Sequence, residues 1–297
     1  MTHDYLADPR NETILIDVNG ELFPRAKAKV SVFDSGFMLG DGVWEGLRVH
    51  KGKIPFLERH MDRLFEGAKT LDFANMPSRD EIIARLHACL EANGMEEGVH
   101  IRLMVTRGER STPYQDPRVT ITPPTIVIIP EYKTPVAHHE GVNLFTVHVR
   151  RGFPDVQDQK LNSHSKINCI MACIQAAKAG ADEALMLDPH GFVATCNSTH
   201  FFIVRKGELW TSTGEYCLGG ITRGVILELA AEEGITVREK SFSLTDVYGA
   251  DEAFITGTFA GLTPVKSVDD RQIGEGARPV MERLITAYLA RIDKECA

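Results

Sequence analysis

A phosphate monoester is held by several hydrogen-bond donors and a cation at close range, and short motifs far apart in this chain carry such groups. Gly219-Gly220-Ile221-Thr222 stands at the start of an expected helix. The free amides and positive dipole end of a helix start favour an anion. Thr222 and Thr258 can add hydroxyl donors, and Arg63 a guanidinium that grips phosphate through two parallel bonds. Each part also has a plainer reading. The glycine pair is also what a helix-start turn requires, and Arg63 reads equally as a solvated helix charge beside Asp62 or Glu66. The combination, rather than any one part, favours a phosphate-bearing ligand.

The elements that must position these groups fall into two halves. In the first, Thr13–Val18 and Lys27–Phe33 are short β-type runs, and Glu58–Leu71 has helical spacing. Ser78-Arg-Asp-Glu81 is a capping box ahead of an apolar stripe (Ile82, Ile83, Leu86, Cys89, Leu90), with Gly94 as the stop. Strands are expected at His100–Thr106 and Thr125–Ile129. The stretch 130–139 loses periodicity and carries two prolines, which places a linker at 131–139 between a smaller α+β domain, 1–130, and a larger one, 140–297. The second half predicts a strand at Val142–Val149 and a helix with Ile167, Ile170, Met171 and Ile174 on one apolar face. Strands follow at Glu183–Leu187, His200–Val204 and Glu252–Thr256, with helices at Thr222–Glu233 and Pro279–Ile292. Fold class is α+β.

At 297 residues, 43% hydrophobic and 25% charged, the composition is that of a globular protein with room for two cores. A net charge of −8 argues against nucleic acid or an anionic membrane as the main partner, and no apolar run approaches a membrane span. The polar start, Met1 to Tyr5, does not read as a signal peptide. Six cysteines without paired spacing fit a reducing, cytoplasmic setting, with Cys169 and Cys173 read as small core residues. No metal site is expected.

Five motifs, in order, carry a family resemblance. They are Gly36-Phe-Met-Leu-Gly-Asp-Gly-Val-Trp-Glu-Gly-Leu-Arg48, Glu58-Arg-His-Met-Asp-Arg-Leu64, Gly180-Ala-Asp-Glu-Ala-Leu-Met-Leu-Asp188, Gly219-Gly-Ile-Thr-Arg223 and Thr256-Gly-Thr-Phe-Ala-Gly-Leu-Thr-Pro-Val265. With Asp158-Gln-Lys-Leu-Asn-Ser-His-Ser-Lys-Ile-Asn168 they resemble the class IV aminotransferases, the fold-type IV pyridoxal-phosphate enzymes. That group includes branched-chain and D-amino-acid aminotransferases and aminodeoxychorismate lyase. The resemblance implies a two-domain fold-type IV enzyme with its site in the cleft, pyridoxal 5'-phosphate as cofactor, and a homodimer. It also implies transamination between a branched-chain-like amino acid and a 2-oxo acid through a lysine Schiff base. A lyase and a non-catalytic binding protein are the alternatives. The cofactor phosphate would meet Arg63, Gly220, Ile221, Thr222 and Thr258. Trp44, Arg48, Arg102 and Phe259 are the substrate-pocket candidates.

Two departures from the family pattern bear directly on the chemistry, one at the reactive lysine and one at the ring nitrogen. An ungapped alignment sets Asn162 where the reactive lysine belongs, and asparagine cannot condense with an aldehyde. Lys166, at the position of a tyrosine that approaches the cofactor, is the leading substitute. Lys160, expected on a strand and sharing the face of residue 162, is the alternative if the turn holds two extra residues. Thr195 stands where a glutamate pairs with the pyridine nitrogen, and its hydroxyl is expected to donate to an unprotonated ring nitrogen. His200 replaces an asparagine and reads as structural.

Overall fold

A computed structural model describes residues 7–133 and 141–297. The first half contains β1 (Leu15–Val18), β2 (Glu21–Pro24), α1 (Ser35–Leu39), β3 (Gly42–Val49), α2 (Leu57–Thr70), α3 (Arg79–Asn93), β4 (Val99–Thr106) and β5 (Thr125–Tyr132). Its strands form an antiparallel sheet in the order β2-β1-β5-β4-β3. Helices α2 and α3 lie on this sheet. Met61, Leu64, Ile82, Leu86 and Leu90 pack with Leu47, Ile101, Leu103 and Ile128 in one core. The capping box forms as expected: Ser78 Oγ accepts from the Glu81 amide at 3.2 Å, and Glu81 Oε2 accepts from the Ser78 amide at 2.7 Å.

Residues 27–33 depart from expectation. The alternating valines read as a strand, yet the hairpin partner of β1 is the earlier segment 21–24, and the chain then leaves the sheet. Outside the sheet, the β-favouring side chains gain no burial: Val30, Val32 and Phe33 are exposed. The linker expected at 131–139 lies outside the described residues except for 131–133, of which Glu131 and Tyr132 extend β5.

The second half runs β6 (Val142–Thr146), α4 (Pro154–Gln157), α5 (Ile167–Lys178), β7 (Glu183–Leu187), β8 (Val193–Cys196), β9 (His200–Arg205), β10 (Glu208–Thr211), α6 (Ile221–Glu232), β11 (Val237–Glu239), α7 (Leu244–Tyr248), β12 (Glu252–Gly257), β13 (Gly261–Val268), β14 (Arg271–Gln272) and α8 (Pro279–Glu295). These strands make one mixed sheet, β11-β10-β9-β12-β13-β6-β7-β8, with β14 on β13. Helices α6 and α8 cover one face through Val225, Ile226, Leu284 and Tyr288 against Phe202 and Phe254. Helix α5 overturns the expected polarity of its apolar stripe. Only Ala172 and Ala176 are buried, while Ile167, Ile170, Met171 and Ile174 stay exposed. Periodicity shows that a stripe exists but not which face meets the sheet. Here the small alanines let the helix sit against Ala184 and Met186. Cys169 and Cys173, read as core residues, are only partly buried.

Candidate active site

The site forms where the segment before α5 crosses the edge of β3. Asn162 and Ser163 run alongside that strand. The Trp44 amide donates to the Asn162 carbonyl at 3.0 Å, Asn162 Nδ2 donates to the Trp44 carbonyl at 2.5 Å, and the His164 amide donates to the Gly42 carbonyl at 2.8 Å. These bonds bury Asn162 to 5% exposure. The residue in the lysine position is thus a well-held structural amide. Lys166 is the N-cap residue of α5, and its side chain turns back so that Nζ donates to Asn162 Oδ1 at 3.3 Å. Its Nζ is also 5.4 Å from the Trp44 ring centre. Burial pushes the Lys166 amine down to about 8, opposed by Cys169 and reinforced by the cations of Arg151, Arg63 and Arg102. Lys160 is exposed in the turn after α4, not on a strand, and lines neither cavity of the site.

Two adjoining cavities, about 370 Å³ and 190 Å³, share Trp44, Arg102, Asn162 and His200 in their walls. The larger also meets Lys166, Thr195, Arg151 and Cys169. The smaller meets Arg63, Gly220, Ile221, Thr222, Thr258 and Phe259. Five of the quoted sequence stretches, carrying Trp44, Arg63, Lys166, Gly220 and Thr258, therefore reach one cleft.

Arg63 does not pair with Asp62 or Glu66. Its Nε and Nη2 donate to the two carboxylate oxygens of Glu45 at 2.8 and 2.6 Å, and its Nη1 donates to the Gly219 carbonyl at 2.8 Å. Glu45 is fully buried on β3 and also bonds His60 at 2.7 Å. Burial alone would raise its carboxyl, but the bonds from Arg63 and His60 hold it below the ordinary value. Gly220 caps α6, whose first turn has no side-chain cap. A Cβ there would stand 2.4 Å from His200 Nε2, so the close approach of α6 to that ring requires glycine. Thr222 is buried and shares a hydrogen bond with Tyr288.

At the other end, Thr195 Oγ1 donates to the Thr199 carbonyl at 2.8 Å and is 2% exposed. In this structure the hydroxyl expected to meet a ring nitrogen is turned to that backbone carbonyl. Arg102 stacks 3.8 Å from the Trp44 ring centre, and burial lowers its pKa. Arg48 lines neither cavity. It crosses from β3 to donate to the Phe259 carbonyl at 3.3 Å, fixing the turn that carries Thr258.

Arg151, Glu45 and the lining role of His200 were not singled out in the sequence. Glu45 lies inside a quoted motif, and its burial was the missing signal. Arg151, 8% exposed, donates to Cys169 Sγ at 3.2 Å and has no local sequence mark. No cluster of three or more His, Cys, Asp or Glu residues able to hold a metal ion occurs among the described residues, and none of their helices is long and apolar enough to cross a membrane.

The family model "Amino-transferase class IV" matches residues 42–268. "Branched-chain-amino-acid aminotransferase-like protein 2" of Arabidopsis thaliana is 43% identical over 94% of this chain, which spans 50% of that protein's length. A branched-chain-amino-acid aminotransferase of Pseudomonas aeruginosa is 37% identical, covering 91% of this chain and 90% of its own. Among solved structures, the T.th. branched-chain amino acid aminotransferase with pyridoxamine 5'-phosphate superposes with a TM-score of 0.86 at 27% identity, covering 95% of both chains. The match extends from β3, at the edge of the cleft, to the strand that follows the Thr258 turn, and takes in every wall of both cavities. The chain belongs to the class IV aminotransferases.

Proposed function

We propose that this chain is a pyridoxal-phosphate-dependent aminotransferase that moves an amino group between a branched-chain-like amino acid and a 2-oxo acid, with Lys166 as its reactive amine. The observation that carries this reading is a half-buried lysine, its amine pushed down to about 8, facing a cavity whose walls include Arg102 and Arg151. The donor set fits the cofactor. Arg63, the uncapped start of α6 and the buried hydroxyls nearby suit its phosphate. When bound, pyridoxal phosphate supplies an aldehyde that exchanges amines and a ring that withdraws electrons from the substrate carbon.

The side chains divide the remaining work. Lys166 is neutral far more often than an ordinary lysine at neutral pH, so it can act as a nucleophile and can take up and return the proton at the substrate carbon. Arg102 and the backbone at Thr258 and Phe259 would hold a substrate carboxylate, and Trp44 keeps that end of the cleft dry. We assign two domains joined within the expected linker 131–139, with the first extended through Tyr132 because β5 ends there, and take two copies as the working unit. The exposed Val32, Phe33 and Phe37 support a partner on that side. Sedimentation showing only a monomer at micromolar concentration would argue against the pair.

Borohydride reduction of the cofactor-loaded protein, followed by peptide mapping, tests the assignment. Label on Lys166, loss of the visible band in Lys166→Ala and its retention in Lys160→Ala are the expected results. Label on Lys160 would show that the turn alignment is wrong. A protein that gains no visible band with pyridoxal phosphate would favour the non-catalytic binding protein suggested by Asn162.

A further inference from the structure

We infer that His200 and Thr256 complete the anion cradle at the start of α6 as direct hydrogen-bond donors to a phosphate monoester. The two residues face one another across the β9–β12 pair, so their side chains share one face of the sheet. Both line the smaller cavity together with Gly220, Ile221 and Thr222. His200 is 9% and Thr256 3% exposed. Both imidazole nitrogens and the threonine Oγ1 are buried without a hydrogen-bond partner among the described residues.

Buried donors are seldom left unpaired, because each loses its water without recovering a bond. Two such residues side by side, at a helix start whose first-turn amides have no side-chain cap, describe a site shaped for an acceptor. The edge of the His200 ring abuts the backbone that begins α6, as the 2.4 Å separation from a Cβ built on Gly220 shows. Burial first, then the cations of Arg223, Arg63 and Arg151, push the imidazole down to about 3. It is therefore a neutral donor. The first-turn amides, His200, Thr256 and Arg63 offer more donors than a carboxylate's two oxygens accommodate, and the three terminal oxygens of a phosphate monoester suit them better. Naming that phosphate as pyridoxal phosphate's rests on the function proposed above; the anion site does not.

The experiment compares wild type, His200→Phe, His200→Gln and Thr256→Val for binding of pyridoxal phosphate, pyridoxal and inorganic phosphate by fluorescence titration. His200→Phe is expected to weaken pyridoxal phosphate and inorganic phosphate about tenfold or more, while pyridoxal changes by less than about threefold. His200→Gln, which keeps a donor, should recover most of the loss, and Thr256→Val should weaken both phosphates several-fold. Equal losses for pyridoxal and pyridoxal phosphate would mark a structural role and overturn the inference, as would no loss at all. Should His200→Phe fail to fold, the ¹⁵N resonances of the wild-type His200 ring decide. A shift on adding inorganic phosphate supports the contact, and none refutes it. Wild type that binds inorganic phosphate but not pyridoxal phosphate would sink the proposed function and leave the anion site standing; wild type that binds neither sinks the inference.

Discussion

Replacing Lys166 with methionine should stabilise the protein at neutral pH. The side chain keeps its length and apolar stem and loses only the ammonium. Burial holds the Lys166 amine at about 8, against an ordinary 10.5. Between those two pH values the unfolded chain binds more protons than the folded one, so the stability of wild type rises with pH across that window. Below about pH 8 the whole penalty of charging a buried amine stands, about 3 kcal/mol from the gap between the two values. Urea unfolding without added cofactor, at pH 7 and at pH 10.5, reads this directly. Lys166→Met should exceed wild type by about 2–3 kcal/mol at pH 7 and by less than about 1 kcal/mol at pH 10.5. Other titrating groups are common to both proteins and drop out of the difference. A variant less stable than wild type at pH 7, or an advantage unchanged between the two pH values, would refute the claim that the amine is held by burial in a cation-lined cavity.

Glu45→Gln leaves Arg63 and His60 without their shared carboxylate and should destabilise by about 3–5 kcal/mol. Because the Glu45 carboxyl is held below its ordinary 4.5, that contribution is present above about pH 4.5 and fades as pH falls through its lower folded value, so denaturation curves of the two proteins should converge in acid. Gly220→Ala drives a methyl into His200 and should lower stability by about 1–3 kcal/mol in thermal melts, whereas Gly219→Ala, with open space at its Cβ, should not. In the native protein Ellman's reagent should modify Cys169 and Cys173 rapidly and the four buried cysteines only after unfolding, with Cys89 further protected by a thiol pushed up to about 11. A fast phase that survives Cys169→Ser/Cys173→Ser would contradict the burial pattern.

Local rules made much of this fold legible. The capping box at Ser78 and the glycine stop at Gly94 form as their side chains predict, because each depends on neighbours a few residues away; the strand at Glu183–Leu187 forms as expected because it is buried on both faces and its whole apolar run is used. Residues 27–33 and the stripe on α5 were misread for a common reason: a β-type or apolar pattern names a surface but not its partner. The site divides in the same way. The groups proposed to bind phosphate lie in motifs visible one by one, whereas the partner of Arg63 is 18 positions upstream on β3 and emerges only when α2 packs on that strand. His200 looked like a plain structural replacement because nothing in the chain announces that Thr256 will stand opposite it.

The clamp on Arg63 has a consequence for kinetics. Three of the guanidinium's five N–H groups are engaged, one each on Nε, Nη1 and Nη2. The remaining two belong to the terminal nitrogens. A free arginine surrenders up to about 2 kcal/mol of rotamer entropy when a ligand immobilises it. This one is already held, so a phosphate bound there as proposed would gain the equivalent of about thirtyfold in affinity over capture by a mobile side chain. The gain needs no new contact and no closure step. Variants that free the side chain without removing its charge should therefore release ligand faster while capturing it at nearly the same rate.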